Sequence, residues 1–390
     1  MAIKPSQIQA ILQRKRTHFE TFEQGQKSSL EMHQMAWQDL CRMPLDQLEI
    51  WLSRRSGNVG ARPLEFLDPE TRGICRSGLQ WGNREHSLQW VKQQLNGVTT
   101  FAVDGSQVFP SKDLSPPIAL VQIGWFENPH TADADYIKDI ELDIMTPRDL
   151  ELGDTSKPLD RLVNKHRFRM EIRRLVEYIK QVKNPENCLV FFDGALVATF
   201  ADAYEDEDRQ EYVDALIGLL RASETHCVPL VGYVDTSSAH DLTTLLEHHS
   251  ASLAAMPKVT DAQMLNGFMK WGDRMPICRC DRIGILTEYK EHKERVAFTY
   301  LKTNQGPPAR VEMPLWMHEA GITDRVLNWV RAETIVGGGY PYAIETADQT
   351  AVLQTNDRQV FFRILQDWAS HEDLQLRWSR KMMSKLRRRR

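Results

Sequence analysis

The sequence predicts an α/β fold, a central sheet with helices packed on it and a helical extension in front. Three observations carry the prediction. Strand and helix patterns alternate from residue 85 to residue 234, which implies a sheet layered between helices. Two of the strand patterns, residues 99–106 and 188–195, are too apolar for exposed hairpins. The chain's 390 residues exceed the length at which one hydrophobic core stops growing, so the core is expected to carry additions.

Residues 5–57 are rich in Gln, Glu, Lys and Arg, with Ile8, Ile11, Leu12 and Phe19 spaced as on helix faces. They make a helical N-terminal extension, residues 1–57, and a polar, glycine-containing stretch, residues 53–63, separates it from a main domain of residues 58–372. In that domain the patterns predict a helix over 85–95, a strand over 99–106, and a second strand over 118–126 after the turn at Pro116-Pro117. A long helix over 159–182 carries Leu162, Phe168, Ile172, Leu175 and Ile179 on one side. A strand over 188–195, a helix over 212–222 and a strand over 228–234 complete the alternation. Helices near 242–247 and 261–269 precede several strands within 277–312, among them 296–301. From Thr323 onward the pattern is helical, interrupted at Gly337-Gly338-Gly339-Tyr340-Pro341, and residues 373–390 form a basic tail.

Composition narrows the function classes. A net charge of -4 means that the surface as a whole is no polyanion magnet, so nucleic-acid binding has to be local. Six thinly spread cysteines suggest reduced thiols and not a disulfide framework. Cys278-Arg279-Cys280 lacks the two-residue gap of a zinc site and reads as two strand residues facing one way. No run of about twenty apolar residues and no signal-peptide pattern occurs, so a cytoplasmic protein without a membrane partner is expected. There is no P-loop for an ATP-driven motor.

The most informative feature is a pair of buried strand patterns that each run into Asp-Gly, at Asp104-Gly105 and Asp193-Gly194, 89 positions apart. An acid at the C-terminal edge of a sheet is exposed while its strand is buried, and the glycine lets backbone or ligand come close. Either Asp-Gly alone is an ordinary strand-ending turn. Together they can meet across one edge, and carboxylate oxygens are the ligands that Mg²⁺ and Mn²⁺ prefer.

With these motifs the chain resembles the NurA family of DNA-end-processing nucleases, whose fold is ribonuclease-H-like, a mixed central sheet flanked by helices. The first family motif corresponds to Phe101-Ala102-Val103-Asp104-Gly105-Ser106, the second to Leu189-Val190-Phe191-Phe192-Asp193-Gly194-Ala195, and a late Tyr-Pro element to Gly339-Tyr340-Pro341 and the helix after it. The resemblance spans about residues 95–355. It implies a glutamate on the helix before the second strand, Glu171 or Glu177, with Glu171 favoured by its Arg-x-x-x-Glu context. It implies two-metal hydrolysis of phosphodiesters, with Mn²⁺ or Mg²⁺ held by Asp104 as bridging ligand and by Glu171, Asp193 and Asp348. Tyr340 would stand beside the metals, to stack on a base or bond a phosphate.

Two positions depart from the pattern. Asp348 stands where many relatives carry histidine, although a carboxylate ligates these hard ions at least as readily. Gly232-Tyr233-Val234-Asp235 stands where relatives often carry a lysine, for which Lys290, Lys293 or Lys302 can compensate. The resemblance further implies a 5′-3′ exonuclease and single-strand endonuclease acting on single-stranded DNA and duplex ends in double-strand-break repair. It also implies a homodimer docked on a HerA-like hexameric ATPase. The basic run from Arg377 to Arg390 carries eight positive charges and no acid, and reads equally as a grip on DNA or as a solubilising tail. Glu205-Asp206-Glu207-Asp208 reads as a solvated helix start or loop. The competing readings are a non-catalytic nuclease-like adaptor that binds DNA or a motor ATPase, and a related enzyme acting on RNA or branched DNA.

Overall fold

The apolar run after residue 98 forms strand β1 (Thr99–Val108), preceded by helix α1 (Arg84–Leu95). In this computed structural model residues 4–379 are described, apart from 56, 113, 132, 151–157 and 375. Most of the basic tail, residues 380–390, lies outside the described residues. The chain divides into two compact units.

One unit comprises Trp81–Tyr233, Glu288–His292 and Trp316–Arg390, and it contains every candidate site residue. After β1 come β2 (Ala119–Asn128), β3 (Ile137–Met145), α2 (Leu159–Gln181), β4 (Cys188–Asp193), α3 (Asp206–His226) and β5 (Leu230–Val234). Helices α4 (Thr323–Val336), α5 (Tyr342–Ala351) and α6 (Thr355–His371) follow. The strands lie in the order β5-β4-β1-β2-β3. β1, β2 and β3 pair antiparallel, whereas β4 and β5 join parallel to β1 and to each other. An antiparallel meander extended by parallel strands is the mixed, ribonuclease-H-like sheet that the sequence leads one to expect.

Helix α2 buries Leu162, Phe168, Ile172, Leu175 and Ile179, the stripe read from the sequence, together with Glu171. The acidic run at residues 205–208 proves to be a helix start, with Asp206, Glu207 and Asp208 in the first turn of α3, where carboxylates oppose the positive end of the helix dipole. Asp208 is buried and takes the Lys165 ammonium of α2 at 2.8 Å, tying the two helices together.

The structure departs from the sequence pattern at two strands. β1 does not stop near Asp104: it runs to Val108, because β2 keeps pairing with it from Asp104↔Gly124 to Val108↔Leu120. Only the parallel ladder to β4 ends there, its last pair being Val103↔Phe192. β3 is a strand that the apolar patterns do not reveal. It lies at the edge of the sheet, and charged residues at 139, 141 and 143 alternate with exposed apolar ones at 140, 142 and 144, so that Met145 alone is buried. Glu141 pairs with Arg173, and Asp143 with His166 at 2.7 Å, so the charged side of this strand faces α2.

Helix α5 lies directly on β1 and β2. A Cβ on Gly124 would come within 2.6 Å of the Ala351 nitrogen and 2.8 Å of the Thr350 carbonyl carbon, so only glycine admits the helix backbone there. The C-terminal end of α5 is tied down by the Gln122 amide, which donates to the Ala351 carbonyl at 2.8 Å, and by the Leu353 N–H, which donates to Ser106 Oγ at 3.2 Å.

The other unit comprises Met1–Gln80, Val234–Thr287 and Lys293–Leu315. Its helices Pro5–Arg14, Arg16–Cys41 and Leu45–Ser53 account for the N-terminal extension. Strands Gly60–Pro63, Cys278–Asp281, Val296–Leu301 and Ala309–Pro314 pair antiparallel in that order. Cys278 and Cys280 are buried free thiols on one side of their strand. Beside them the buried Arg310 is held by Asp241 and Glu312, each at 2.7 Å, and Arg282 grips the same Asp241. No helix among the described residues is long and apolar enough to cross a membrane.

Replacing Gly124 with alanine forces α5 off the sheet. The expected loss is about 1–3 kcal/mol of unfolding free energy in urea, as for other overpacked sites. A change within measurement error would show that the helix does not rest on this strand.

Candidate active site

The end of the β1–β4 ladder sets the geometry. Val103 and Phe192 are the last pair of this ladder, so the next residues, Asp104 and Asp193, stand on adjacent parallel strands just past its end. Neighbouring strands run about 4.8 Å apart, and residues level with each other in a parallel pair point to the same face. The two acids are therefore neighbours on one face of one edge.

Alternation along β1 divides the work of Asp104 and Gly105. Asp104 lies opposite Gly124, on the face that α5 covers, and its carboxyl lies beside that of Asp348 on α5, whose negative charge helps to raise its pKa. Gly105 faces α2: a Cβ there would collide with Glu171 Oε1 and come within 2.7 Å of Arg167 Cγ. The glycine is thus the opening through which a glutamate from the opposite helix layer reaches the edge.

Glu171 is buried, and its Oε1 lies 3.3 Å from Arg167 Nε. Arg167 also donates through Nη1 to the Gly105 carbonyl at 2.8 Å. Burial pushes the Glu171 carboxyl up to about 8; Arg167 opposes the shift, and the charges of Asp104 and Asp193 add to it. Glu177, the alternative on the same helix, is exposed and stands 3.7 Å from Arg173. Asp104 is pushed up to about 6, mainly by burial, against the pull of the Gly105 N–H at 2.7 Å and with help from Asp193 and Asp348.

Asp193 is exposed, and the Tyr340 hydroxyl donates to its Oδ1 at 2.7 Å. The Tyr340 ring meets Tyr233 edge-on, with centroids 5.3 Å apart. Tyr340 is delivered by a tight turn: Gly338 and Gly339 have φ of 70° and 121°, and a Cβ on Gly337 would collide with the Tyr340 carbonyl. The glycine run is a close approach of backbone.

Asp104, Glu171, Asp193 and Asp348 thus gather with Tyr340 at one sheet edge, drawn from two strands and from helices on both faces. Glu177 is not among them. Of the lysines considered as replacements for the family cation, Lys290 pairs with Asp214 at 2.8 Å, and Lys302 donates to Asn266 and to the Gly306 carbonyl. Sequence reasoning did not single out Gly124, whose signal is a lone glycine inside a strand pattern. Arg167 entered it only as the context of Glu171, one helical turn later.

Among the described residues, no group of three or more His, Cys, Asp or Glu already stands in an arrangement that could hold a metal ion. The carboxylates are engaged with one another, with Arg167 and with Tyr340. The donor set nevertheless fits a hard cation in kind: it is all oxygen, and the buried Glu171 Oε1 has no hydrogen-bond partner.

Residues 98–353 match the family model of the NurA domain. The chain belongs to the NurA family. At the level of class it is a nuclease. Among solved structures, the NurA nuclease from Sulfolobus solfataricus is similar at 12% identity over 75% of this chain and 94% of that one, with a TM-score of 0.48. The catalytic domain of human Endonuclease V is similar at 12% identity over 79% of this chain and 96% of that one, with a TM-score of 0.33. The Endonuclease V of Ciona intestinalis, solved with a 24mer DNA, is 9% identical over 72% of this chain and 96% of that one, with a TM-score of 0.25. No curated protein matches the chain.

The raised pKa of Glu171 has a sign that can be measured in this NurA chain. From the usual 4.5 up to about 8, the folded protein holds a proton that the unfolded chain has released. Stability from this group is therefore present at low pH and lost as pH rises through that window. Glu171→Gln, in protein stripped of divalent ions, should raise the melting temperature at pH 9 by a few degrees and leave it nearly unchanged at pH 5. Equal effects at both pH values would contradict the buried, proton-holding carboxyl.

Proposed function

We propose that this NurA-family protein hydrolyses DNA phosphodiester bonds with Mn²⁺ or Mg²⁺ held by Asp104, Glu171, Asp193 and Asp348. The observation that carries the reading is the place of Asp104 and Asp193 side by side just past the end of the β1–β4 ladder, with Glu171 and Asp348 reaching them from opposite helix layers.

Bound divalent ions would supply an acidified water and neutralise charge on the phosphate. The chain's own residues do the rest. Asp104, between Asp193 and Asp348, is the acid best placed for sharing between two ions. Glu171 has to lose its proton before it can ligate, so ion binding competes with protons below about pH 8. Arg167 favours the ionised form and holds the Gly105 carbonyl, which keeps the glutamate aimed through its opening. Tyr340 holds the Asp193 carboxylate through its hydroxyl, and its ring would stack on a base of the bound strand.

The finer reading rests on family membership and on the resemblance set out above. It is a 5′-3′ exonuclease and single-strand endonuclease, cytoplasmic and homodimeric, that processes DNA ends in double-strand-break repair. The lack of a P-loop in the chain supports a separate motor, a HerA-like hexameric ATPase.

Cleavage of end-labelled single-stranded DNA, duplex DNA and an RNA/DNA hybrid across a Mn²⁺ titration tests the proposal. The wild type should cut both DNA substrates in preference to the hybrid, and Asp104→Ala or Asp193→Ala should lose about 10³-fold or more, the scale of a lost electrostatic contribution. Ion binding and cleavage that ignore Asp104 would support the non-catalytic adaptor, and preference for the hybrid would support an RNA-directed relative.

A further inference from the structure

We propose that Glu333 is a positioning residue of the acid cluster, setting where α5 presents Asp348 to Asp104. The inference rests on reading those acids as a metal site.

Glu333 sits on α4 and is 1% exposed. One carboxylate oxygen accepts the Thr100 hydroxyl at 3.0 Å, with His130 Nε2 at 3.4 Å from the same atom. The other accepts the Ala343 amide N–H at 2.8 Å. A buried carboxylate is tolerated only when its oxygens are paired. Here the pairing joins the two elements that deliver acids: Thr100 lies on β1, four residues before Asp104, and Ala343 is the second residue of α5, five before Asp348.

The N-terminus of α5 explains why a distant side chain is used. The first N–H groups of a helix lack intrahelical partners. The residue at its N-cap is Pro341, which supplies no capping side chain. Glu333 takes that role from another helix and adds negative charge at the positive end of the helix dipole. With the other end held by Gln122 and Ser106 and resting on Gly124, α5 is clamped onto β1 and β2 from both ends. Asp348 lies about 7.5 Å along the axis from Ala343, close enough for a shift at the clamp to reach it.

The test is a double-mutant cycle on Mn²⁺ binding, measured by calorimetry alongside cleavage and urea unfolding. Glu333→Gln can keep both bonds, its amide oxygen accepting from one partner and the hydroxyl of Thr100 turning to accept from its amide nitrogen, and should bind Mn²⁺ within about 3-fold of wild type. Glu333→Ala should weaken binding about 10-fold, as loss of a residue that orients a ligand does. In an Asp348→Ala background the same change should add less than about 2-fold, which a purely structural role would not produce. Should Glu333→Ala fail to fold, Thr100→Val removes one of the two bonds and should weaken binding in the same direction, again only when Asp348 is present. Equal losses with and without Asp348, or unchanged binding beside lowered stability, would overturn the inference. Wild-type binding in Asp104→Ala would instead overturn the metal-site reading beneath it.

Discussion

The parallel pairing of β1 with β4 is the constraint on which the rest of the site depends. It fixes two chain segments 89 positions apart level with each other, and it ends one residue before each aspartate. Sheet geometry then leaves the two carboxylates no choice but to share an edge. Because β2 continues to pair with β1 past that point, the edge is rigid on one side and open on the other.

The electrostatic consequence is a cluster at odds with itself. Burial and mutual repulsion raise Asp104 and Glu171, with Asp348 beside Asp104 adding to the repulsion, and contacts with Arg167 and Tyr340 steady Glu171 and Asp193. Such a group of carboxylates lowers the stability of the folded protein at neutral pH unless positive charge arrives. The buried apolar runs of β1 and β4 beneath it offset that cost. On the proposed reading, the same conflict is what favours divalent cations at this edge and makes their binding depend on pH.

Much of this unit was legible in the sequence. The alternation of strands and helices, the apolar stripe of α2 and the two Asp-Gly motifs are local signals, and each is carried by a few consecutive residues. The sequence left Glu171 and Glu177 as alternatives, because a single helix pattern does not say which of two acids one and a half turns apart meets the sheet. In the structure Glu171, and not Glu177, stands over Gly105. What was not legible is long-range or weakly patterned. β3 is an edge strand whose apolar residues, Met145 apart, stay largely exposed. Gly124 matters only because α5 crosses it more than two hundred residues later, and Glu333 matters only because Thr100 and Ala343 converge on it. No run of residues announces a contact of that kind. The discontinuous unit that gathers the N-terminal helices with residues 234–287 and 293–315 likewise has no boundary marked by composition.

The most direct test of the central claim is a crystal structure of the protein soaked in Mn²⁺, with the ions located by anomalous scattering. The account predicts anomalous density between Asp104 and Asp193, with oxygens of Glu171 or Asp348 completing the ligands at roughly 2.0–2.3 Å. Ions found only elsewhere on the surface, with no density beside Asp104 at saturating Mn²⁺, would contradict it.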